Sequence, residues 1–215
     1  MSDAAIRDDN PFLYDDPDEL NSEPVSILPE GGISDYLRYY SGATPSYIFP
    51  KQMEYFVYTD EVQGIGECHI LNVRYSADRT VLDRAEAYTL LGQYDEAAAD
   101  LSSFYIASEG TSASLDAETI SSWYEEADET YKKPIAPRFT VSAGMQENLI
   151  HACLHARRIL TLHEGTRLLD LKRYGITYTH EVDGEASIEI QPYDPRLAVQ
   201  IPNLAIEAGM EPNPR

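Results

Sequence analysis

Basic residues and cysteine are scarce in this sequence. Lysine and arginine together number 16 against 37 aspartates and glutamates, so the formal net charge is −21 at pH 7. A protein of this negative charge repels phosphate groups and cannot displace their counterions. Neither nucleic acid nor anionic lipid is therefore expected as a partner. The two cysteines, Cys68 and Cys153, lie far apart without CxxC spacing, which indicates neither a zinc knuckle nor a disulfide framework.

Long apolar runs are missing as well. No stretch approaches the roughly 20 consecutive apolar residues that a membrane-spanning helix needs. The opening residues carry no basic stretch, no apolar run and no cysteine for lipid attachment, so the chain as written is expected to be soluble and to have no export signal. Hydrophobic residues still make up 43% of the 215 residues, which is enough for a folded core.

Signals for the common enzyme chemistries are also absent. The sequence contains no G-x-S-x-G elbow, no P-loop and no H-E-x-x-H motif, and Gly64-Ile65-Gly66 is a lone GxG that favours a turn. With so many acidic residues, pairs of carboxylates arise by coincidence and predict no glycosidase site. We therefore predict no catalytic residue and no cofactor.

Two histidines raise the question of a metal site. Glu147, His151 and His155 follow one another at four-residue steps, which could bring metal ligands onto one helix face. Helical geometry places them opposite the apolar stripe of their helix and beside Arg158, where a cation is disfavoured. An ordinary solvated face is therefore expected, and no metal.

Helical periodicity begins after Leu71. Apolar residues recur at three- and four-residue steps between positions 81 and 91, and Gly92 interrupts this first amphipathic helix. Asp95 is placed to cap a second helix that runs to about Ile106. Together they predict a helical hairpin that looks like the middle of a tetratricopeptide repeat.

A single repeat unit cannot bury its own apolar faces, because stable arrays usually need about three repeats. The exposed stripes are expected on both helices of the hairpin and would make the isolated chain marginally stable. The side chains concerned are Val81, Leu82, Ala85, Tyr88, Ala97, Leu101 and Tyr105.

The rest of the chain predicts a mainly α fold in one domain, 1–215, with a second helix pair. That pair runs from Gln146 to about His163 and from Thr166 to Tyr174, where Gly175 ends it. A short β-hairpin is expected around Gly184. The predicted segments are a loop-rich 1–66, the repeat-like hairpin 71–108, a polar excursion 109–144 with a short helix from 116, the second helix pair 145–175 and an extended tail 176–215.

Tyrosine dominates the aromatic residues, with 16 against 5 phenylalanines and 1 tryptophan. Tyrosine offers an apolar ring with a polar tip, which suits carbohydrate or peptide contacts and equally suits a wet, loop-rich surface. Trp123 with Tyr124 is the best pair for stacking on a sugar ring, although Trp123 could instead pack its own loop onto the helices. Tyr36, Tyr39 and Tyr40 form a second candidate ligand-binding cluster.

The segment 157–175 closely resembles the signature of the SusD/RagB family. That signature is a basic helix, then Glu-Gly-x-Arg, then Asp-Leu-Arg/Lys-Arg-aromatic-Gly. The second element is matched here from Glu164 to Arg167 and the third from Asp170 to Gly175. Downstream, Asp194-Pro195-Arg196, Ile201-Pro202 and the Pro and Asn of 212–214 are similar to carboxy-terminal elements of the family. The resemblance covers about 71–215.

The resemblance implies a non-enzymatic nutrient-binding protein on the outward face of the cell outer membrane. Members of that family are longer and carry a lipoprotein signal, so the chain is expected to be a carboxy-terminal portion. The implied ligand is an oligosaccharide or a peptide, and the implied partner is a TonB-dependent outer-membrane transporter. The alternatives are a helical-repeat scaffold that binds a protein and, less favoured, a glycosidase.

The signature also has a physical interpretation. Glu164, Arg167, Asp170 and Arg173 are three residues apart, so a near-helical turn at Gly165 would align them as a ladder of charge pairs. Arginine suits such pairs because its planar fork binds a carboxylate through two parallel hydrogen bonds. A structural role is therefore expected for these residues.

Overall fold

The computed structural model describes residues 38–40, 46–48, 53–71, 75–109, 114–127, 131–161, 164–181, 184 and 186–214. These residues form helices and three two-stranded antiparallel sheets, which confirms the predicted mainly α class. None of the helices within these ranges has the length and apolar content to cross a membrane. The strands are β1 Arg38–Tyr40, β2 Ser46–Ile48, β3 Met53–Asp60, β4 Ile65–Leu71, β5 Tyr178–His180 and β6 Ile188–Ile190; the helices are α1 Ala77–Leu90, α2 Tyr94–Glu109, α3 Ala117–Glu126, α4 Met145–Leu160, α5 Arg167–Tyr174 and α6 Asn203–Glu207, with a 3-10 turn at Pro195–Leu197.

The chain divides into two compact units. Unit 1 comprises Met1–Glu126 and Ala143–Leu160, and unit 2 comprises Ala127–Ser142 and Thr161–Arg215. Unit 1 holds α1 to α4 and the first two sheets, whereas unit 2 holds α5, α6 and the third sheet. Segment 127–142, predicted as part of a polar excursion between helices, therefore belongs to the unit that holds α5.

The β3–β4 hairpin occupies the end of the segment predicted to be loop-rich, 1–66, and continues to Leu71. Gly64 lies in its turn with φ +68°, a left-handed conformation that glycine adopts without steric cost. The turn predicted from the GxG motif is therefore present at Gly64, whereas Ile65 and Gly66 lie in β4. Gly66 lies opposite Tyr58, and a Cβ there would collide with the Val57 carbonyl. The second glycine is therefore required by close approach within the hairpin.

The predicted helical hairpin is α1 with α2, joined by a tight turn at Gly92, whose φ is +76°. The second helix begins at Tyr94, so Asp95 lies inside its first turn, and the prediction that Asp95 caps the helix was wrong. Arg84 on α1 binds Asp100 on α2 through two hydrogen bonds of 2.7 Å each. This bidentate pair fixes the register of the two helices.

The apolar stripes of the hairpin are covered by helices from the same chain, which corrects the expectation that they remain in water. Leu82 and Ala85 on α1 and Ala97 and Leu101 on α2 are fully buried. Helix α4 packs against α1, α2 and α3, and α3 also packs against α2. Helices α3 and α4 thus cover the apolar faces of the hairpin, as neighbouring repeats do in an array.

Helix α4 is buried on nearly its whole circumference and forms the centre of unit 1. His151 and His155 are 3% and 5% exposed, so the prediction of a solvated histidine face was wrong. The ring of His151 stacks against Tyr124 of α3, with 6.4 Å between centroids. This contact with another helix is one that the pattern of a single helix does not reveal.

Alkaline pH is expected to destabilise unit 1 through Cys153 on α4. Burial raises the pKa of the Cys153 thiol from 9.0 to about 12, so between these values only the unfolded state releases the proton. The stability that depends on this thiol is complete below pH 9 and is lost as pH rises, by about 1 kcal/mol at about pH 10. The free energy of unfolding, measured with urea at about pH 8 and about pH 10, should therefore fall more between the two pH values for the unsubstituted chain than for Cys153→Ala. An equal fall in both proteins would contradict this role of the buried thiol.

Candidate functional site

Helix α5, in unit 2, carries the second half of the signature and begins after a non-helical turn at Gly165. Gly165 has φ +73°, so the chain is not helical there, and the near-helical turn that the predicted ladder required is absent. The prediction of a continuous helical ladder through this turn was therefore wrong. Within α5, Arg167 lies 3.6 Å from Asp170, whose side chain is almost fully buried. The structural role of this pair stays a prediction.

The end of α5 is fixed by a close approach between two backbone segments. Gly175 caps the helix in the left-handed conformation, with φ 59° and its N–H donating to the Leu171 carbonyl. A Cβ at Gly175 would lie 2.5 Å from the Ala136 carbonyl oxygen. The Ala136 N–H donates to the Tyr174 carbonyl at 2.8 Å, so segment 131–142 runs directly along the end of the signature helix.

The same carbonyl of Ala136 also holds a third segment. The Tyr193 hydroxyl donates to it at 2.7 Å, and Tyr193 has φ 61°, the sole positive φ outside glycine in the described ranges. This conformation is strained for a residue with a large side chain. The guanidinium of Arg138 lies over the Tyr193 ring, 4.1 Å from its centroid.

A second aromatic group adjoins the first. Phe139 packs edge-on against Tyr174, with 5.6 Å between centroids, and the guanidinium of Arg173 lies 5.2 Å from the Phe139 ring. Tyr174 is fully buried, whereas Phe139 is 36% exposed. We call this set the Arg138 cluster; it consists of Arg138, Phe139, Arg173, Tyr174 and Tyr193.

The Asp-Pro-Arg element that follows Tyr193 is held by hydrogen bonds between its own Asp194 and Arg196. Asp194 caps the 3-10 turn by accepting the Arg196 N–H at 2.8 Å, and the Arg196 guanidinium binds both carboxylate oxygens at 2.9 and 2.6 Å. These hydrogen bonds lower the pKa of Asp194 to about 2. Arg196 also donates to the Glu189 carbonyl on β6, which ties the turn to the β5–β6 hairpin.

The aromatic residues predicted to bind ligand lie away from this cluster in the sequence and in unit 1. Tyr124 is fully buried in α3, so the prediction that it stacks on a ligand in solvent was wrong for this residue. Trp123 is half-buried and contacts Tyr124 edge-on at 5.0 Å. Tyr39 and Tyr40 lie in β1, where only the backbone is described, and Tyr36 lies outside the described residues.

Sequence reasoning missed Arg138, Phe139 and Tyr193. Their signal was weak: Pro134 and Pro137 marked the segment as a loop, and nothing in the local pattern joins it to the signature. The arrangement combines exposed aromatic surface with two guanidinium groups and offers no nucleophile beside a base. Within the described residues no three His, Cys, Asp or Glu side chains converge on a metal position.

A scan against protein-family models finds no model that matches the chain, and searches of curated proteins and of solved structures find no match either.

Proposed function

We propose that this chain is a non-enzymatic nutrient-binding protein of the SusD/RagB type, which captures an oligosaccharide or a peptide for a TonB-dependent transporter at the outer membrane. The proposal rests first on the resemblance of residues 157–175 to the signature of that family. Its support from the structure is one observation: Arg173 and Tyr174 of the signature belong to the Arg138 cluster through their contacts with Phe139.

The chemistry of the cluster favours binding over turnover. An exposed ring such as Phe139 can stack on the apolar face of a sugar or on a peptide side chain, and a guanidinium can donate several hydrogen bonds to hydroxyl or carbonyl oxygens. Hydrolysis would require a nucleophile or paired carboxylates around the bound ligand. The clustered side chains Arg138, Phe139, Arg173, Tyr174 and Tyr193 include no carboxylate.

The test is calorimetric titration of the whole chain with a panel of oligosaccharides and peptides, followed by chromatography of each mixture. We expect one ligand class to bind and to be recovered intact. Phe139→Ala should weaken this binding, whereas Tyr75→Ala should not, because Tyr75 is a highly exposed aromatic residue of unit 1. Release of a shortened saccharide would overturn the non-enzymatic assignment.

A protein-binding scaffold would behave differently in the same assays. It would bind none of the saccharides or peptides and would instead retain a folded protein partner. Co-expression with a TonB-dependent transporter from the same source, followed by affinity purification, examines the proposed partner directly. Failure of the two proteins to co-purify would count against the transporter assignment.

A further inference from the structure

The segment that supplies Arg138 differs in charge from the rest of the chain. Residues 131–142 contain Lys132, Lys133 and Arg138 and no acidic residue, in a sequence with 37 acidic and 16 basic residues. Arg173 lies against the same segment through Phe139. A local concentration of cations in a strongly acidic chain calls for a specific explanation.

Arg138 also differs from the arginines that hold the fold together. Arg84, Arg157, Arg167 and Arg196 each bind a carboxylate within 3.6 Å. Arg138 is exposed and lies over the Tyr193 ring, and no carboxylate of the described residues forms an ion pair with it. An aromatic ring neutralises no charge, so this guanidinium retains its full charge toward solvent.

The Tyr193 ring, over which Arg138 lies, is held in place before any ligand binds. Tyr193 is held in a strained left-handed conformation by its hydroxyl bond to the Ala136 carbonyl. Strained residues persist where the surrounding structure determines them, and they concentrate at binding sites. Because the Tyr193 ring is already ordered, ligand binding does not carry the entropic cost of ordering that ring.

We infer that the Arg138 cluster binds an acidic oligosaccharide, one that carries carboxylate or sulfate groups. This inference rests on the proposed function and names the ligand class of the same site. Phe139 supplies the apolar surface for a pyranose ring, and Arg138 with Arg173 supplies the cations for its anionic groups. A neutral saccharide would leave the Arg138 guanidinium without an anionic counterpart.

The net charge of −21 does not prevent such binding. The Debye length is about 8 Å at physiological ionic strength, so distant carboxylates are largely screened from a ligand at the cluster. A guanidinium in contact with a carboxylate or sulfate is screened much less. The cluster therefore attracts an anion at contact distance although the chain as a whole does not.

The experiment compares matched pairs of ligands on the whole chain. Calorimetric titration uses a galacturonic acid tetramer with its methyl ester, and a chondroitin sulfate tetrasaccharide with its desulfated form. We expect one acidic ligand to bind about tenfold or more tightly than its less charged counterpart, because charge-assisted hydrogen bonds are lost with the anionic group. Arg138→Gln should reduce that ratio, and Arg79→Gln, an equal change of charge on α1, should leave it unchanged.

Each outcome decides between the two proposals. Equal affinity for charged and uncharged members of both pairs overturns the acidic-ligand inference and leaves the proposed function standing. An equal effect of Arg138→Gln and Arg79→Gln on the ratio also overturns it, because the cluster then contributes nothing specific. Absence of binding by any saccharide or peptide overturns the proposed function itself. The comparison of ligands on the unsubstituted chain remains decisive if Arg138→Gln fails to fold.

Discussion

Replacement of Arg157 by alanine is expected to lower the free energy of unfolding by about 3 to 5 kcal/mol. Arg157 is 6% exposed on α4, and its guanidinium binds Glu86 of α1 and lies 3.1 Å from Asp83. Glu86 is itself buried, so loss of the guanidinium leaves a carboxylate in a poorly solvated position without that counter-charge. The measurement is urea-induced unfolding followed by circular dichroism.

Two further variants separate the charge effect from the loss of packing. Arg157→Met together with Glu86→Gln removes both charges while keeping most of the volume, and it should recover much of the lost stability. Arg79→Ala, a substitution at a half-buried arginine of α1, should cost under about 0.5 kcal/mol. A cost below about 1 kcal/mol for Arg157→Ala would contradict the interpretation of this pair as a buried ion pair.

Replacement of Gly175 by alanine is expected to cost about 2 to 5 kcal/mol, the combined range for left-handed strain and overpacking. The added Cβ would lie 2.5 Å from the carbonyl oxygen and 3.0 Å from the carbonyl carbon of Ala136. Both atoms belong to the backbone, so the contact cannot be relieved by rotation of a side chain. We expect a lower melting temperature and weaker ligand binding, because Tyr193 is bonded to the same carbonyl.

Gly165→Ala is the matched control for this substitution. Gly165 also belongs to the signature and has φ +73°, but a Cβ there would meet no atom within 4 Å. It therefore measures the cost of the left-handed conformation alone, about 1 to 2 kcal/mol. Equal losses of stability in the two variants would mean that the approach of Ala136 to Gly175 contributes nothing.

The sequence allowed prediction of those elements whose signals are local. The α1–α2 hairpin follows from the spacing of Leu82 and Ala85 and from the turn at Gly92, and the end of α5 follows from Gly175. The β5–β6 hairpin forms across Gly184 as expected, with Tyr178 opposite Ile190. In each case the determining residues lie within one turn or one helix of one another.

Features that depend on distant segments were missed or wrong. Burial of His151 and His155 depends on which helices surround α4, and a periodicity confined to one helix cannot report this. The Arg138 cluster joins Phe139 to Tyr174 and Arg138 to Tyr193, contacts that span 35 and 55 positions by their residue numbers. No local propensity encodes such contacts, so the ligand site was predicted at aromatic residues that are adjacent in the sequence, Trp123 and Tyr124.

The side chain of Gln146, at the start of α4, caps the carboxy-terminal end of α1. Its Nε2 donates to the Thr89 carbonyl at 3.0 Å and to the Leu90 carbonyl at 3.3 Å, and thereby satisfies acceptors that a helix terminus leaves open. The first of these bonds joins residues 57 positions apart. At about 5 to 20 residues per second, a ribosome needs about 3 to 11 seconds to synthesise that interval. During translation the α1–α2 hairpin therefore leaves the ribosome before α4 does, with its apolar stripes not yet covered by α4 and without the bonds that Gln146 donates to the last carbonyls of α1, and in that interval it is available to a chaperone.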